Sequence, residues 1–405
     1  MRAAPFQQIE NIASRGVWLR RKDVVKQMEL RKMEKLGIET SLLGFGCMRF
    51  PTDSEGRIDR ERARDMMERA LAAGVNYIDT AWPYHGGESE LFVGEVLKEH
   101  PRDSFYLATK LPMWDVKSLA DVDRIFNRQL EKLQTEYIDF YLLHAMNRGS
   151  WGEVLKLGVL ERLEQLKEEG KIRYLGFSFH DNYETFQQIL SYRDWDFCQI
   201  QLNYMDAEEQ AGLKGYALAE EKGVPMVIME PVKGGSLAAF ASDISEKFHA
   251  HAPQASMTSF ALRWVGSLSN VKVILSGMSN MEQVEDNLKT FGAFKPLSDS
   301  EQATVREVVE LMRSRVQNGC TGCRYCMPCP AGVNIPGSFG CWNRYHMYQN
   351  YNVVKYQWEK ELGEAKQPKN CIKCGKCEQA CPQHLHIRED LERVQADLDA
   401  REYML

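Results

Sequence analysis

The sequence predicts an α/β protein, a (β/α)8 TIM barrel followed by a small, mainly helical module. Three observations carry that expectation. Between residues 28 and 296, short β-branched or aromatic runs alternate with amphipathic stretches, eight of each, which is the count of a closed parallel barrel. The alternation stops near Ser298, and nine of the eleven cysteines crowd into residues 320–381. With 405 residues the chain exceeds what one hydrophobic core normally supports, so a large domain plus a small one is the default. A doubly wound open sheet is the alternative fold. The absence of a G-x-G-x-x-G turn after the first strand weighs against it.

The elements follow in chain order. Residues 1–27 hold six basic residues against two acidic ones and no apolar stretch long enough for a secretory signal. They read as a disordered extension or the product of an upstream start codon, with a basic targeting arm as the alternative. Strand candidates fall at 42–48, 76–81, 105–111, 138–144, 172–179, 197–204, 225–231 and 271–277. Helical candidates lie between and after them, at 59–73, 90–99, 121–133, 160–169, 183–190, 210–222, 257–265 and 281–288. In the third of these, Val122, Ile125, Phe126, Leu130 and Leu133 recur at helical spacing and give one apolar stripe. Residues 28–297 are therefore assigned to the barrel. Residues 298–319 read as a connecting helix, with Ser298 as N-cap and Val305, Val308, Val309 and Met312 on its apolar side. Residues 320–405 form the small domain, whose segment 338–362 is rich in Tyr and Trp and reads as helical.

Two runs define the chemistry of that domain: Cys320-Thr-Gly-Cys323-Arg-Tyr-Cys326-Met-Pro-Cys329-Pro330 and Cys371-Ile-Lys-Cys374-Gly-Lys-Cys377-Glu-Gln-Ala-Cys381-Pro382. A thiolate at every third position wraps the backbone around a cubane so that three sulfurs reach three irons. The fourth Cys, before Pro, ligates the neighbouring cluster. The runs thus predict two [4Fe–4S] clusters in a dicluster, ferredoxin-like domain with crossed ligation. Cys320, Cys323, Cys326 and Cys381 would hold one cluster, and Cys371, Cys374, Cys377 and Cys329 the other. The first run is one residue short before its last Cys, and Cys341, between the runs, is the spare ligand should Cys329 fail. Structural zinc prefers two separated Cys-x-x-Cys pairs, and a disulfide framework belongs to small secreted chains. Cys47 and Cys198 lie in apolar strand-like runs and read as buried thiols.

The net charge of −6 is modest and its acidic and basic residues are interspersed, so no nucleic-acid footprint is visible. The longest apolar runs, such as 224–232, are strand-sized, far below the ~20 residues needed to cross a bilayer. Nucleic acid and membrane are thereby excluded as expected partners, and the expected location is a reducing compartment, the cytoplasm.

In a (β/α)8 barrel, polar residues at strand C-terminal ends gather at one mouth, where chemistry happens. Asp79 ends the second strand candidate, Tyr84 follows in the loop, Lys110 ends the third and His144 the fourth. Singly, each reads equally well as a turn cap, a solvated strand end or a satisfied histidine; at consecutive strand ends they form a constellation. Here the chain resembles the aldo-keto reductase family. The resemblance rests on Asp79-Thr-Ala-Trp-Pro-Tyr84-His-Gly-Gly-Glu-Ser-Glu90, Ala108-Thr-Lys110-Leu, Leu142-Leu-His144 and Leu43-Gly-Phe-Gly-Cys-Met-Arg49, and it spans residues 28–297. With the cysteine runs, the whole looks like the iron–sulfur branch of that family.

Elementary chemistry supports the roles this resemblance implies. Carbonyl reduction leaves an alkoxide that must be protonated as it forms, which calls for a general acid. Tyr84 is the candidate acid, Lys110 would lower the phenol's pKa by its charge, Asp79 would hold the lysine, and His144 would orient the carbonyl oxygen. The resemblance also implies a nicotinamide dinucleotide, NADP or NAD, across the mouth. Ser178 and Gln199 would meet its carboxamide; Ser276, Gly277, Gln283 and Asn287 would meet its phosphate and adenine. The sequence departs from the family pattern at Phe179, where an Asn usually follows the Ser, and at Met229, where an aromatic often stacks. Ser279 and Gln283 stand where an Arg is common, so the grip for a 2′-phosphate is missing. The implied activity is that of an oxidoreductase acting on a small carbonyl or alcohol substrate, with clusters exchanging electrons with a redox partner protein. Hydride chemistry moves two electrons and clusters move one, so a flavin stays open as the carrier that splits them. An electron-transfer module with a docked partner and a simple reductase with structural clusters are the alternatives. Trp82, Trp114, Tyr204 and His180 are candidates for the mouth lining.

Overall fold

The structure, a computed structural model, describes residues 28–403. The expected disordered arm at 1–27 lies outside the described residues. An antiparallel hairpin, β1 (Leu30–Met33) and β2 (Ile38–Ser41), opens the fold. Eight parallel strands follow: β3 (Leu43–Gly46), β4 (Tyr77–Asp79), β5 (Tyr106–Leu111), β6 (Ile138–Met146), β7 (Ile172–Phe179), β8 (Phe197–Gln201), β9 (Met226–Met229) and β10 (Val271–Ser276). They close in chain order, with β10 pairing back onto β3. The expected barrel is present and every strand begins within one residue of its expected start. Most ends come earlier, because the chain leaves the sheet to build the loops of the mouth; β6 instead runs on to Met146.

Inward-pointing side chains fill the barrel. Phe140 lies at the centre, with ring centroids 4.9 Å from both Tyr77 and Phe197 and 5.0 Å from Tyr174. The hairpin, not foreseen in the sequence, belongs to this same core. Met33 is fully buried in it and Leu36 and Ile38 pack at its margin, so the hairpin stoppers the end from which the strands start. Burying one such methionine contributes roughly 1.5–3 kcal/mol. Its two four-residue strands carry Arg31, Lys32 and Glu39, and these charges mask the alternation. Gly37, at φ 69°, makes the turn.

The helix Leu119–Leu133 buries Val122, Ile125, Phe126 and Leu133 as its stripe requires. Two helices were not expected. Arg148–Leu157 is capped by the Asn147 side chain and stopped by Gly158 at φ 69°, but its Gly149 and Gly152 weaken the helical signal. Ser242–His251 buries only Ile244 and Phe248. The connecting helix Asp299–Ser314 starts at a reciprocal Ser298–Glu301 capping box and stops at Ser314, short of residue 319. It packs with Ser242–His251 and Tyr348 in one apolar cluster, which joins the barrel to the small domain. That domain is helical, with Ile335–Tyr348 and Ile387–Ala400 as its main elements. Among its described residues there is no strand.

Candidate active site and cluster-binding loops

The strand ends bring the four candidate catalytic residues together. Lys110 Nζ, fully buried, donates to Asp79 Oδ1 at 2.7 Å and to the Thr80 carbonyl at 2.8 Å, and lies 3.5 Å from the Tyr84 hydroxyl. The Tyr84 ring meets the His144 ring edge-on at 6.2 Å, and Trp114, about half exposed, covers His144 at 5.0 Å. Asp79 Oδ2 and His144 Nδ1 are buried without a partner. Burial alone would lower the Lys110 ammonium, but Asp79 and Tyr84 more than offset it and leave it above its ordinary value. Burial likewise lifts Asp79, against the pull of Lys110. The lysine is the charged centre of the site.

For Tyr84 the balance differs from the sequence expectation. Burial pushes the phenol up, and the Lys110 charge offsets that only in part, so its pKa ends above rather than below the ordinary value. The phenol is thus held protonated, the form an acid needs. His144 is pushed down to about 3 by burial, with Lys110 and His180 adding to it. A neutral imidazole follows, able to hydrogen-bond an oxygen but not to supply the proton.

The candidate cofactor residues divide. Ser178 and Gln199 stand side by side on β7 and β8. Ser178 Oγ accepts from the Ala145 amide at 2.8 Å, while Gln199 Nε2 lies 3.4 Å from Met229 Sδ and its Oε1 is buried without a partner. That orphaned acceptor fits an amide donor such as a carboxamide. Ser276 and Asn287 are both buried and bonded to each other at 2.7 Å, which ties β10 to the helix Met281–Phe291 rather than presenting either group outward. Gly277 packs against Arg49, whose Cγ would lie 2.7 Å from an added Cβ. Gln283 folds back onto the Ser279 amide at 2.8 Å, at the N-terminus of that helix. Of the mouth candidates, Trp82 is held under the Lys132 ammonium and His180 is exposed. Tyr204 instead packs with Tyr348 between the two domains.

The eight cysteines of the two runs part into two cavities. One is lined by Cys320, Cys323, Cys326 and Cys381, with Phe339 and Leu385 beside them. The other is lined by Cys371, Cys374, Cys377 and Cys329, with Ile372, Lys376 and Arg388; Cys326 borders it too. The second holds about 210 Å³, many times the ~10–15 Å³ that one water needs; the first is tighter, about 20 Å³. The thiols ring these spaces. The donor set fits two cubanes with the fourth ligand crossed between runs. Cys341 is not a spare ligand in this arrangement: it is buried in the small domain's core and donates to Gln357 Oε1 at 3.0 Å. Cys47 and Cys198 are buried thiols, raised in pKa by burial.

Comparison with known proteins decides the family. The aldo/keto reductase family matches residues 42–310, and a 4Fe-4S dicluster domain matches residues 319–385. The chain belongs to the aldo/keto reductase family. It is 27% identical to an uncharacterised oxidoreductase of Bacillus subtilis, over 66% of this chain and 92% of that protein. It is 25% identical to the NADH-specific methylglyoxal reductase of Escherichia coli, over 69% and 96%. Among solved structures, an aldo-keto reductase of Bacillus halodurans in its holo form superposes with a TM-score of 0.58 at 27% identity, covering 69% of this chain and 96% of that one. These relatives align with the barrel; the dicluster domain is additional to it.

Glu90, which closes one of the segments that carry the resemblance, has no role in the sequence reading. Glu90 is fully buried behind Lys110. Its carboxylate accepts from Thr109 Oγ1 and Gln129 Nε2, both at 2.7 Å, and pairs with Lys132 at 3.3 Å. Gln129 also donates to the Lys110 carbonyl at 3.0 Å. This network fixes the backbone that carries the lysine. Its place in a family-like segment and its type, a Glu inside an apolar helix, are the signals in the sequence.

Proposed function

We propose that this chain is an NAD(P)-dependent reductase of a small carbonyl, or dehydrogenase of the matching alcohol, whose [4Fe–4S] clusters exchange single electrons with an outside protein. The observation that carries the reading is the buried Lys110, held charged between Asp79 and the protonated Tyr84, beside a neutral His144. When bound, a nicotinamide supplies or accepts the hydride and the clusters carry single electrons. The chain's residues do the rest. Tyr84 gives its proton to the developing alkoxide, Lys110 stabilises the phenolate left behind, and His144 hydrogen-bonds the same oxygen to fix its place.

NADH is favoured over NADPH. No basic side chain stands at Ser279 or Gln283, and the Gln283 side chain is already engaged by a backbone amide. The E. coli relative is named as NADH-specific, and methylglyoxal is a reasonable first substrate to try. Thiol ligands that must stay reduced suit the cytoplasm. The test is anaerobic: the spectrum of the purified chain, then titration with NADH and NADPH and turnover with methylglyoxal and other small aldehydes. Iron–sulfur absorption, tighter NADH binding and aldehyde-dependent NADH oxidation are expected. Flavin bands in the spectrum, or aldehyde reduction by neither dinucleotide, would sink the reading.

A further inference from the structure

The two cavities lie in a definite order relative to the barrel. Along the helix Ile335–Tyr348, Tyr348 packs against the barrel-side cluster, Phe339 lines the first cavity, and Ile335 touches both cavities. Its 14 residues span ~20 Å. The cavity ringed by Cys329, Cys371, Cys374 and Cys377 is therefore the outer one, turned away from the barrel. Its rim holds two of the most exposed large apolar residues described, Tyr325 at 72% and Ile372 at 66%, beside the exposed Cys374.

The charge around this rim opposes that of the chain. Residues 320–332 and 364–378 carry five basic residues (Arg324, Lys366, Lys369, Lys373, Lys376) against two acidic ones (Glu364, Glu378), in a chain of net charge −6. All five are exposed. The ion pairs of Lys369 with Glu364 and of Lys373 with Glu392 are solvent-exposed too, and such pairs contribute only ~0–1 kcal/mol, so a partner can displace them. Lys376 and Arg388 line the cavity itself beside Tyr325 and Ile372, and an apolar centre with a charged edge is the anatomy of a protein interface.

We propose that this rim docks an acidic one-electron carrier protein, which exchanges electrons with the outer cluster. The inference deepens the function proposed above and rests on its cluster reading. The carrier loses one electron and the cluster gains it, or the reverse, and no bond is made or broken. Tyr325 and Ile372 would form the desolvated centre of the contact, and the lysines would steer the encounter. The competing account is that the basic residues only balance the charge of thiolate-bound clusters.

The full chain, purified anaerobically with its clusters, is mixed in stopped flow with photoreduced flavodoxin, a small acidic carrier, and flavodoxin binding is titrated in parallel. The expected result is a cluster-bleaching rate that falls as salt rises. Lys369→Glu/Lys373→Glu, neither of which lines the cavity, should lower rate and affinity at least about tenfold at low salt. Reduction by a neutral viologen, and the iron and sulfide content, should not change. A flavodoxin rate and affinity that survive this reversal overturn the docking site and leave the lysines as counter-charges. If the double variant loses iron, Lys369→Glu, outside the cysteine run, replaces it, and the same null result overturns the proposal. A wild-type chain without acid-labile sulfide overturns the cluster reading itself, before any carrier is added.

Discussion

Replacing Tyr84 with Phe separates the chemistry of the site from its stability. The hydroxyl lies 3.5 Å from Lys110 Nζ, whereas Asp79 and the Thr80 carbonyl hold that ammonium at 2.7 and 2.8 Å. Losing so long a contact should change folding stability by less than about 1 kcal/mol, since the lysine stays satisfied. Losing the proton donor should lower turnover by about 10²–10⁴-fold, or roughly 3–5 kcal/mol of barrier. Dinucleotide affinity should hold within about twofold, because the change alters proton transfer rather than ground-state binding. The assay is anaerobic NADH oxidation with a saturating small aldehyde, alongside fluorescence titration of NADH and thermal melts. A Phe variant retaining more than a third of its turnover would show that another group donates the proton. Wild-type reduction should also show no tyrosine break up to about pH 9, because burial raises the phenol.

Lys110→Met should cost about 3–5 kcal/mol, since Asp79 is left buried and unpaired; Lys110→Met/Asp79→Asn should recover part of this in denaturant titrations. The folded-state pKa of His144, about 3, lies below the ordinary ~6.5. Its contribution to stability is therefore complete above about pH 6.5 and is lost as pH falls from there toward 3; His144→Gln should flatten the acid limb of a melt-versus-pH series, and an unchanged limb would contradict the assignment. Gly94→Ala places a Cβ 2.3 Å from the Lys132 carbonyl oxygen. The resulting overpacking, about 1–3 kcal/mol, should exceed the ~1 kcal/mol helix-propensity gain, so the melting temperature falls. Cys381→Ala should disturb the cluster of the Cys320 run and Cys329→Ala that of the Cys371 run, with wild-type iron near eight per chain; an iron content near four, untouched by Cys320→Ala, would refute two clusters.

What the sequence revealed and what it hid follow from how far apart the determinants lie along the chain. The eight strands were legible because each is a local run whose neighbours in the barrel are also its neighbours in sequence. The cysteine partition was legible for a similar reason, since a three-residue spacing already fixes how a loop wraps. The plugging hairpin was not, because Met33 acquires its meaning only against Tyr77, Phe197 and Val273 inside the barrel. Glu90 is hidden in the same way: its partners Thr109 and Gln129 come from another strand and another helix. The direction of the Tyr84 shift depended on a contest between burial and one charge, and sequence shows the charge but not the depth. Lys110 was expected to make Tyr84 a stronger acid by lowering its pKa. In the folded site the lysine instead limits how far burial raises it, so its larger effect falls after proton transfer, when an ammonium 3.5 Å away faces a phenolate rather than a phenol. That places the contribution of Lys110 in the transition state, where an electrostatic interaction accelerates the step instead of merely tightening binding.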